Sequence, residues 1–212
     1  MNRFYRFAIV CFIWPVLTLA TDDEPVAQIR AVTEQMLSQL EHSPEIREDA
    51  QALGRMIEDT LLPYVDFTGL SRLTLGKHWK RASDQQRDAF SHEFRHLLVR
   101  SYSSVLSNYS DQQVEFLSSK RTPNAHRAIV RTRVVSANNP PVVVDYRLRQ
   151  VNGQWKIYDV SIEGASLAVN YRNNFSQAIK SHGLDGLIAD LISQNARGCV
   201  ARKVVLSSAV QC

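Results

Sequence analysis

The run from residue 127 to residue 162 constrains the fold more than any other part of the chain. Over residues 127–135, Ala128, Val130, Thr132 and Val134 share one face, while Arg127, Arg131 and Arg133 share the other. Val142, Val144, Tyr146 and Leu148 alternate in the same way against Val143, Asp145, Arg147 and Arg149. Asn152-Gly153 then separates this run from Gln154-Trp155-Lys156-Ile157-Tyr158-Asp159-Val160-Ser161-Ile162. A period of two buries one face of a strand and leaves the other in water. Asn-Gly suits the two central positions of a type I′ turn, both of which need positive φ. With a short strand at residues 114–117 before them, these runs predict an antiparallel meander of three or four strands.

Helical spacing flanks the meander. Val26, Ile29, Val32, Met36, Leu37 and Leu40 recur at three and four within residues 24–41. Ser43-Pro44 reads as a helix start with Pro at the first position. The helix through Ala50, Leu53, Met56, Ile57, Thr60 and Leu61 stops before Pro63. Asp66 caps a short helix that carries Phe67, Leu70, Leu73 and Leu75, and Gly76 ends it. Ser83-Asp84-Gln85-Gln86 is a capping-box pattern. It opens a long helix, 84 to about 107, with apolar Phe90, Phe94, Leu97, Leu98, Tyr102, Val105 and Leu106. Two helices, 167–180 and 184–194, follow the strands. Helices, then sheet, then helices is an α+β arrangement.

The first 20 residues stand apart. Arg3 and Arg6 precede an apolar stretch over residues 7–19, too short to span a bilayer, and Thr18-Leu19-Ala20 supplies a cleavage end before Thr21-Asp22-Asp23-Glu24. This reads as a secretory signal peptide, with an uncleaved N-terminal anchor as the alternative. Cys11 lacks a small-residue lipobox, which argues against lipoprotein processing. Removing Arg3 and Arg6 with the leader lowers the formal charge from +4 to +2. So mild a charge gives no basis for nucleic-acid binding, which needs a basic stripe. About 190 residues fit one domain, 21–198, followed by a tail, 199–212. In an oxidising compartment Cys199 and Cys212 of that tail either close one short loop or remain two thiols. The disulfide is the reading preferred, because exported thiols tend to find partners.

Candidate chemistry is sparse. His92-Glu93-Phe94-Arg95-His96 fits H-E-x-x-H, in which two imidazoles hold zinc and the Glu is a general base. At about 100° per residue, however, both histidines fall opposite Phe90, Phe94, Leu97, Leu98 and Val105. His42, His78, His126 and His182 have no motif around them that would supply a third ligand. The reading is a helix surface with no metal. Asp59 and Asp66 read as a helix end and an N-cap rather than an acid–base pair. Ser161 and Ser166 lie in no G-x-S-x-G elbow, and the eight glycines form no phosphate-cradling loop. No catalytic residue and no cofactor site is assigned. What remains is apolar surface on the inward strand faces and the long helix. Most of it must pack a core, but a highly curved sheet against a helix can leave an apolar cavity open to solvent.

A series of motifs in order adds a resemblance. Leu61-Leu62-Pro63-Tyr64-Val65-Asp66-Phe67 is followed by Leu75-Gly76-Lys77-His78-Trp79-Lys80 and Ala82-Ser83-Asp84-Gln85-Gln86-Arg87. Pro140-Pro141-Val142 and the run from Gly153 to Val160 come next, then Ile162-Glu163-Gly164-Ala165-Ser166-Leu167, Asn170-Tyr171-Arg172, Phe175 and Gly183-Leu184-Asp185-Gly186-Leu187. Across nearly the whole mature chain the sequence resembles the MlaC family, the periplasmic phospholipid-binding component of the Mla, or toluene-tolerance, lipid-transport system. Cys199 and Cys212 are not part of that pattern.

The resemblance implies a curved antiparallel sheet similar to nuclear-transport-factor-2-like cones, packed with N-terminal and C-terminal helices. It implies acyl chains in an apolar cavity, with the headgroup near solvent. Phe67, Leu70, Leu98, Tyr102, Leu106, Val130, Val144, Tyr146, Leu148, Tyr158, Val160 and Ile162 are the residues expected to contact lipid. It further implies a monomer in the periplasm that shuttles phospholipid between an outer-membrane lipoprotein complex and the substrate-binding component of an inner-membrane ABC transporter, maintaining outer-membrane asymmetry. Hopanoid-export relatives share these motifs, so a carrier of another lipid is an alternative. Two readings from other classes stand beside it: an exported enzyme, acting through HEFRH or in the same cavity, and a lipid-free adaptor whose apolar faces are filled core.

Overall fold

The structure, a computed structural model, describes residues 24–121, 126–137, 139–198, 200–201 and 210–211. Residues 1–23, which contain the stretch expected to be a signal peptide, and Cys199 and Cys212 lie outside the described residues. Helix α1 spans Glu24–His42, α2 Ala50–Thr60, α3 Phe67–Leu75 and α4 Asp84–Leu106. The strands are β1 (Gln113–Arg121), β2 (Arg127–Ser136), β3 (Asn139–Val151), β4 (Gln154–Ile162) and the short β5 (Ala165–Ser166). Helix α5, Leu167–Ala196, follows, and β6 (Val200–Ala201) pairs antiparallel with β7 (Val210–Gln211). No helix among the described residues is long and apolar enough to cross a membrane.

The helix boundaries follow local chemistry. Ser83 Oγ accepts from the Gln86 amide at 3.1 Å while Gln86 Oε1 accepts from the Ser83 amide at 3.0 Å, which completes the capping box of α4. Asp66 Oδ1 accepts from the Gly69 amide at 2.8 Å and caps α3. At Ser43-Pro44 the expected helix start is only a 3₁₀ turn, Pro44–Glu48. The reason is Asp49, whose carboxylate accepts from the amides of Gln51 and Ala52 and so opens α2 afresh at Ala50. The two predicted C-terminal helices are both present. They join across a break at His182 and Gly183, where Gly183 takes φ 78° and ψ 176°, a conformation open to glycine.

The sheet is an antiparallel meander in the order β1-β2-β3-β4-β5. Asn152 (φ 51°) and Gly153 (φ 77°) form the positive-φ turn between β3 and β4. Three register shifts interrupt the ladders, one in each of the pairs β1–β2, β2–β3 and β3–β4. Such bulges bend the strand that carries them and increase its twist, so the sheet curls rather than lying flat.

Three apolar clusters pack this framework. One joins α3, α4 and α5 through Leu70, Phe90, Phe94, Leu97, Tyr171, Phe175 and Leu191. A second seats α1 on the sheet, with Ile29 against Ala128, Val130, Leu148, Trp155 and Ile157. Polar ties fix the same contact. Trp155 Nε1 donates to Glu24 Oε2 at 3.1 Å, and Gln28 Nε2 donates to the Trp155 carbonyl at 2.9 Å. The third cluster closes the end of α1 on α2 and Tyr109 through Leu40, Leu53 and Met56.

Candidate functional site: an apolar cavity between helices and sheet

Each cluster is close-packed, but they do not close on one another. Between them lies a cavity of about 430 Å³, within the range of small-molecule sites. The sheet contributes Val134, Val144, Tyr146, Ile157, Val160 and Ile162. Helix α4 contributes Leu98, Val99, Tyr102, Val105 and Leu106, and α3 contributes Phe67 and Leu70. Ile29, Val32, Met36 and Leu37 of α1 form a further wall, with Ile57, Leu61 and Val65 beside them. Val105 is 51 % exposed although it lines the cavity, and Asn108 beyond it is also exposed. The rim therefore includes the C-terminal end of α4. Tyr109 anchors the chain there: its hydroxyl donates to Glu41 Oε1 at 3.0 Å and its carbonyl accepts from Arg47 Nη1 at 2.7 Å.

The buried carboxylate in the wall is committed. Asp159 is buried, yet its carboxylate accepts from Ser166 Oγ at 2.7 Å and from the Ala168 amide at 3.2 Å, with Arg147 Nη1 at 3.6 Å. It thereby caps the start of α5 instead of opening toward a ligand. Burial raises the phenols of Tyr102 and Tyr146 above their ordinary range, so both are neutral hydroxyls at neutral pH. Tyr171, packed behind this wall, is pushed by burial to about 12. A wall of aliphatic side chains and neutral phenols can hold a long hydrocarbon. Among the described residues it presents no activated nucleophile.

Nine of the twelve residues expected to contact lipid line this cavity: Phe67, Leu70, Leu98, Tyr102, Leu106, Val144, Tyr146, Val160 and Ile162. Three do not. Val130 and Leu148 point inward as expected, but both are fully buried under α1 in the second cluster, where Ile29 and Trp155 fill the space. Tyr158 is displaced by a bulge. Arg147 pairs with Asp159 and Leu148 with Ile157, so Tyr158 has no partner across the ladder. Strict alternation from Ile162 and Val160 would have placed Tyr158 inward; the bulge gives that place to Ile157. Tyr158 lies instead beside Arg127, whose guanidinium carbon is 5.9 Å from its ring centre.

The α1 wall went unassigned as a site in the sequence. Its spacing showed an apolar face, but spacing does not say whether that face meets packed side chains or space. His92 and His96 lie elsewhere: both are exposed and neither lines the cavity. Among the described residues, no three His, Cys, Asp or Glu side chains form a group that could hold a metal ion.

An α+β protein whose helices and curled antiparallel sheet enclose an apolar cavity is built as a binding protein for a hydrocarbon ligand. The profile of the MlaC protein family matches residues 30–193, and the chain belongs to that family. It is 25 % identical over 193 residues to the intermembrane phospholipid transport system binding protein MlaC of Haemophilus influenzae, covering 87 % of this chain and 90 % of that protein. It is 25 % identical over 174 residues to the toluene tolerance protein ttg2D of Pseudomonas putida, covering 81 % and 80 %. Among solved structures it is similar to the phospholipid-binding protein from Ralstonia solanacearum in complex with a phospholipid, with a TM-score of 0.76 and 27 % identity. That match covers 83 % of this chain and 99 % of the other.

Proposed function

We propose that this protein is a periplasmic phospholipid carrier. It takes acyl chains into the cavity, leaves the headgroup at the rim, and passes lipid between an outer-membrane lipoprotein complex and the substrate-binding component of an inner-membrane ABC transporter. The observation that carries this reading is the apolar cavity of about 430 Å³ left open where three packed clusters meet. A lipid-free adaptor would have no use for so large an unfilled volume, because empty apolar space costs stability. The names of the relatives support phospholipid as cargo.

Energetics then dictate the manner of transfer. Burying a chain of sixteen carbons at about 0.8 kcal/mol per CH₂ gives roughly 12 kcal/mol gross. Release into water would reverse that gain, so cargo moves while the carrier is docked on a partner. The protein works as a monomer in this scheme and performs no chemistry on the lipid. Any ATP is hydrolysed by the transporter.

The test is solvent extraction of protein purified from periplasm, followed by mass spectrometry. Phospholipid at one or more molecules per chain is expected. A triterpenoid in its place would move the cargo to the hopanoid class, and protein that is folded but free of lipid would reject the carrier reading.

A further inference from the structure

The surface of α4 carries a second constellation, remote in kind from the apolar cavity. His92 and His96 stand one turn apart with ring centres 4.4 Å apart, and their Nε2 atoms are 3.2 Å from each other. This contact is a hydrogen bond between the two imidazoles, and its length also matches the bite of a chelate. Two nitrogens 3.2 Å apart, each on a metal bond of about 2.0–2.1 Å, subtend an angle of roughly 100° at the ion, near the tetrahedral value.

The group beside them is one that metal sites use. Glu93 Oε1 lies 3.0 Å from His92 Nδ1. A carboxylate on Nδ1 holds the proton there and leaves Nε2 with its lone pair, which accepts from His96 Nε2 and which an ion would take in its place. Glu93 is itself held from another element: Asn195 of α5 donates from Nδ2 to Glu93 Oε2 at 2.6 Å and to the Glu93 carbonyl at 2.9 Å. The cations of the same helix are drawn elsewhere. Arg100 donates to the Asn195 side chain and to the carbonyls of Gln194 and Asn195, and Arg95 lies over the Phe67 ring.

We propose that His92 and His96 form a surface chelate for a divalent transition-metal ion of the zinc, nickel and copper class, bound through both Nε2 atoms with Glu93 orienting His92. Water completes the coordination. Imidazole suits these ions, whereas magnesium and calcium prefer oxygen. The site is not a hydrolase centre. Glu93, the residue that would act as base in H-E-x-x-H, is committed to His92 and Asn195. The proposal is independent of the lipid reading.

Calorimetric titration of tag-free protein, stripped with chelator, decides it. With Ni²⁺ or Zn²⁺ the wild type is expected to bind one ion per chain, and Mg²⁺ should give no heat beyond dilution. His92→Ala and His96→Ala should each weaken binding about tenfold or more, with unchanged melting in chelator because both side chains are exposed. Glu93→Gln should weaken it by about 10- to 100-fold, as loss of an orienting partner does. Equal Ni²⁺ binding by wild type and a variant carrying both His92→Ala and His96→Ala would place the ion on other histidines and overturn the proposal. So would no binding at millimolar ion.

Discussion

Arg149 of β3 forms an ion pair with Asp66, the residue that caps α3. The Asp66 carboxylate is 8 % exposed, and it also accepts from the Gly69 amide. The Asp66 amide in turn donates to the Ile157 carbonyl at 2.8 Å. One residue thus joins the sheet to the helix that carries Phe67 and Leu70 into the cavity wall. Asp66→Ala strands the Arg149 guanidinium and removes a cap. A cost of about 3 kcal/mol is expected from the orphaned charge and the lost cap together. Urea denaturation measures it, and a change below about 1 kcal/mol would show that the pair holds little.

Gly69→Ala probes the same junction from the other side. A Cβ at this position would meet Arg149 Nη2 at 2.8 Å and press on the Asp66 carboxylate. The carboxylate is fixed by its own bonds, so the pair has to give way. A loss of about 1–3 kcal/mol is expected, as for overpacking elsewhere. Gly54→Ala on α2, where the nearest atom is Val99 Cγ1 at 3.6 Å, is the control that should be neutral or stabilising.

Asp145 gives the stability a pH dependence. The hydrogen bonds of Arg131, at 2.7 and 2.8 Å, hold its carboxyl below the usual 3.8. A depressed pKa means that the unfolded chain takes up the proton first as pH falls. The contribution is therefore complete above about pH 5 and is lost as pH drops through 3.8 toward the native value. Melting temperature should be flat above pH 5 and fall below pH 4, and Asp145→Asn should make that fall shallower. An identical acid limb in wild type and variant would assign the loss to other carboxylates.

The tail supplies a prediction about compartment. Val200 pairs with Gln211 and Ala201 with Val210. In the sequence Cys199 and Cys212 adjoin the outer pair on either side, though both lie outside the described residues. We expect them to be joined by a disulfide in exported protein. Alkylation before and after reduction reports it: protection of both thiols until reductant is added is expected, and full labelling without reductant would exclude the bond.

The fold was legible where local chemistry decides it. Asn152-Gly153, the Ser83–Gln86 box and Asp66 each name one turn or cap, and each stands where the pattern put it. The alternation of β2 was also legible, since Ala128, Val130 and Thr132 are buried and Arg127 and Arg131 exposed. What periodicity could not carry was a change of phase. The bulge at Tyr158 leaves no mark in the sequence, because tyrosine suits either face of a strand and Ile157 is as apolar as its neighbours. Nor could it separate a filled face from an open one. Val130 and Val144 sit on one face of neighbouring strands, and only the position of α1 decides that the first is covered by Ile29 while the second meets the cavity.

That last distinction yields the sharpest test of the site. Val144 and Tyr146 line the cavity, whereas Val130 and Leu148 are fully buried in the cluster beneath α1. A glutamate at any of the four places a carboxylate in apolar surroundings, at a desolvation cost of several kcal/mol when no water can reach it. In the packed cluster that cost falls on the fold, so Val130→Glu and Leu148→Glu should unfold or fail to accumulate. At the cavity wall water enters when lipid is absent. Val144→Glu and Tyr146→Glu should therefore keep a cooperative melt, lowered but intact, and lose most of their co-purifying lipid. Circular dichroism and lipid extraction on the same four samples read both quantities. A folded Val144→Glu with wild-type lipid would remove this wall from the binding site. Unfolding of all four variants would mean that the cavity is closed to water and that Val144 and Tyr146 serve packing alone.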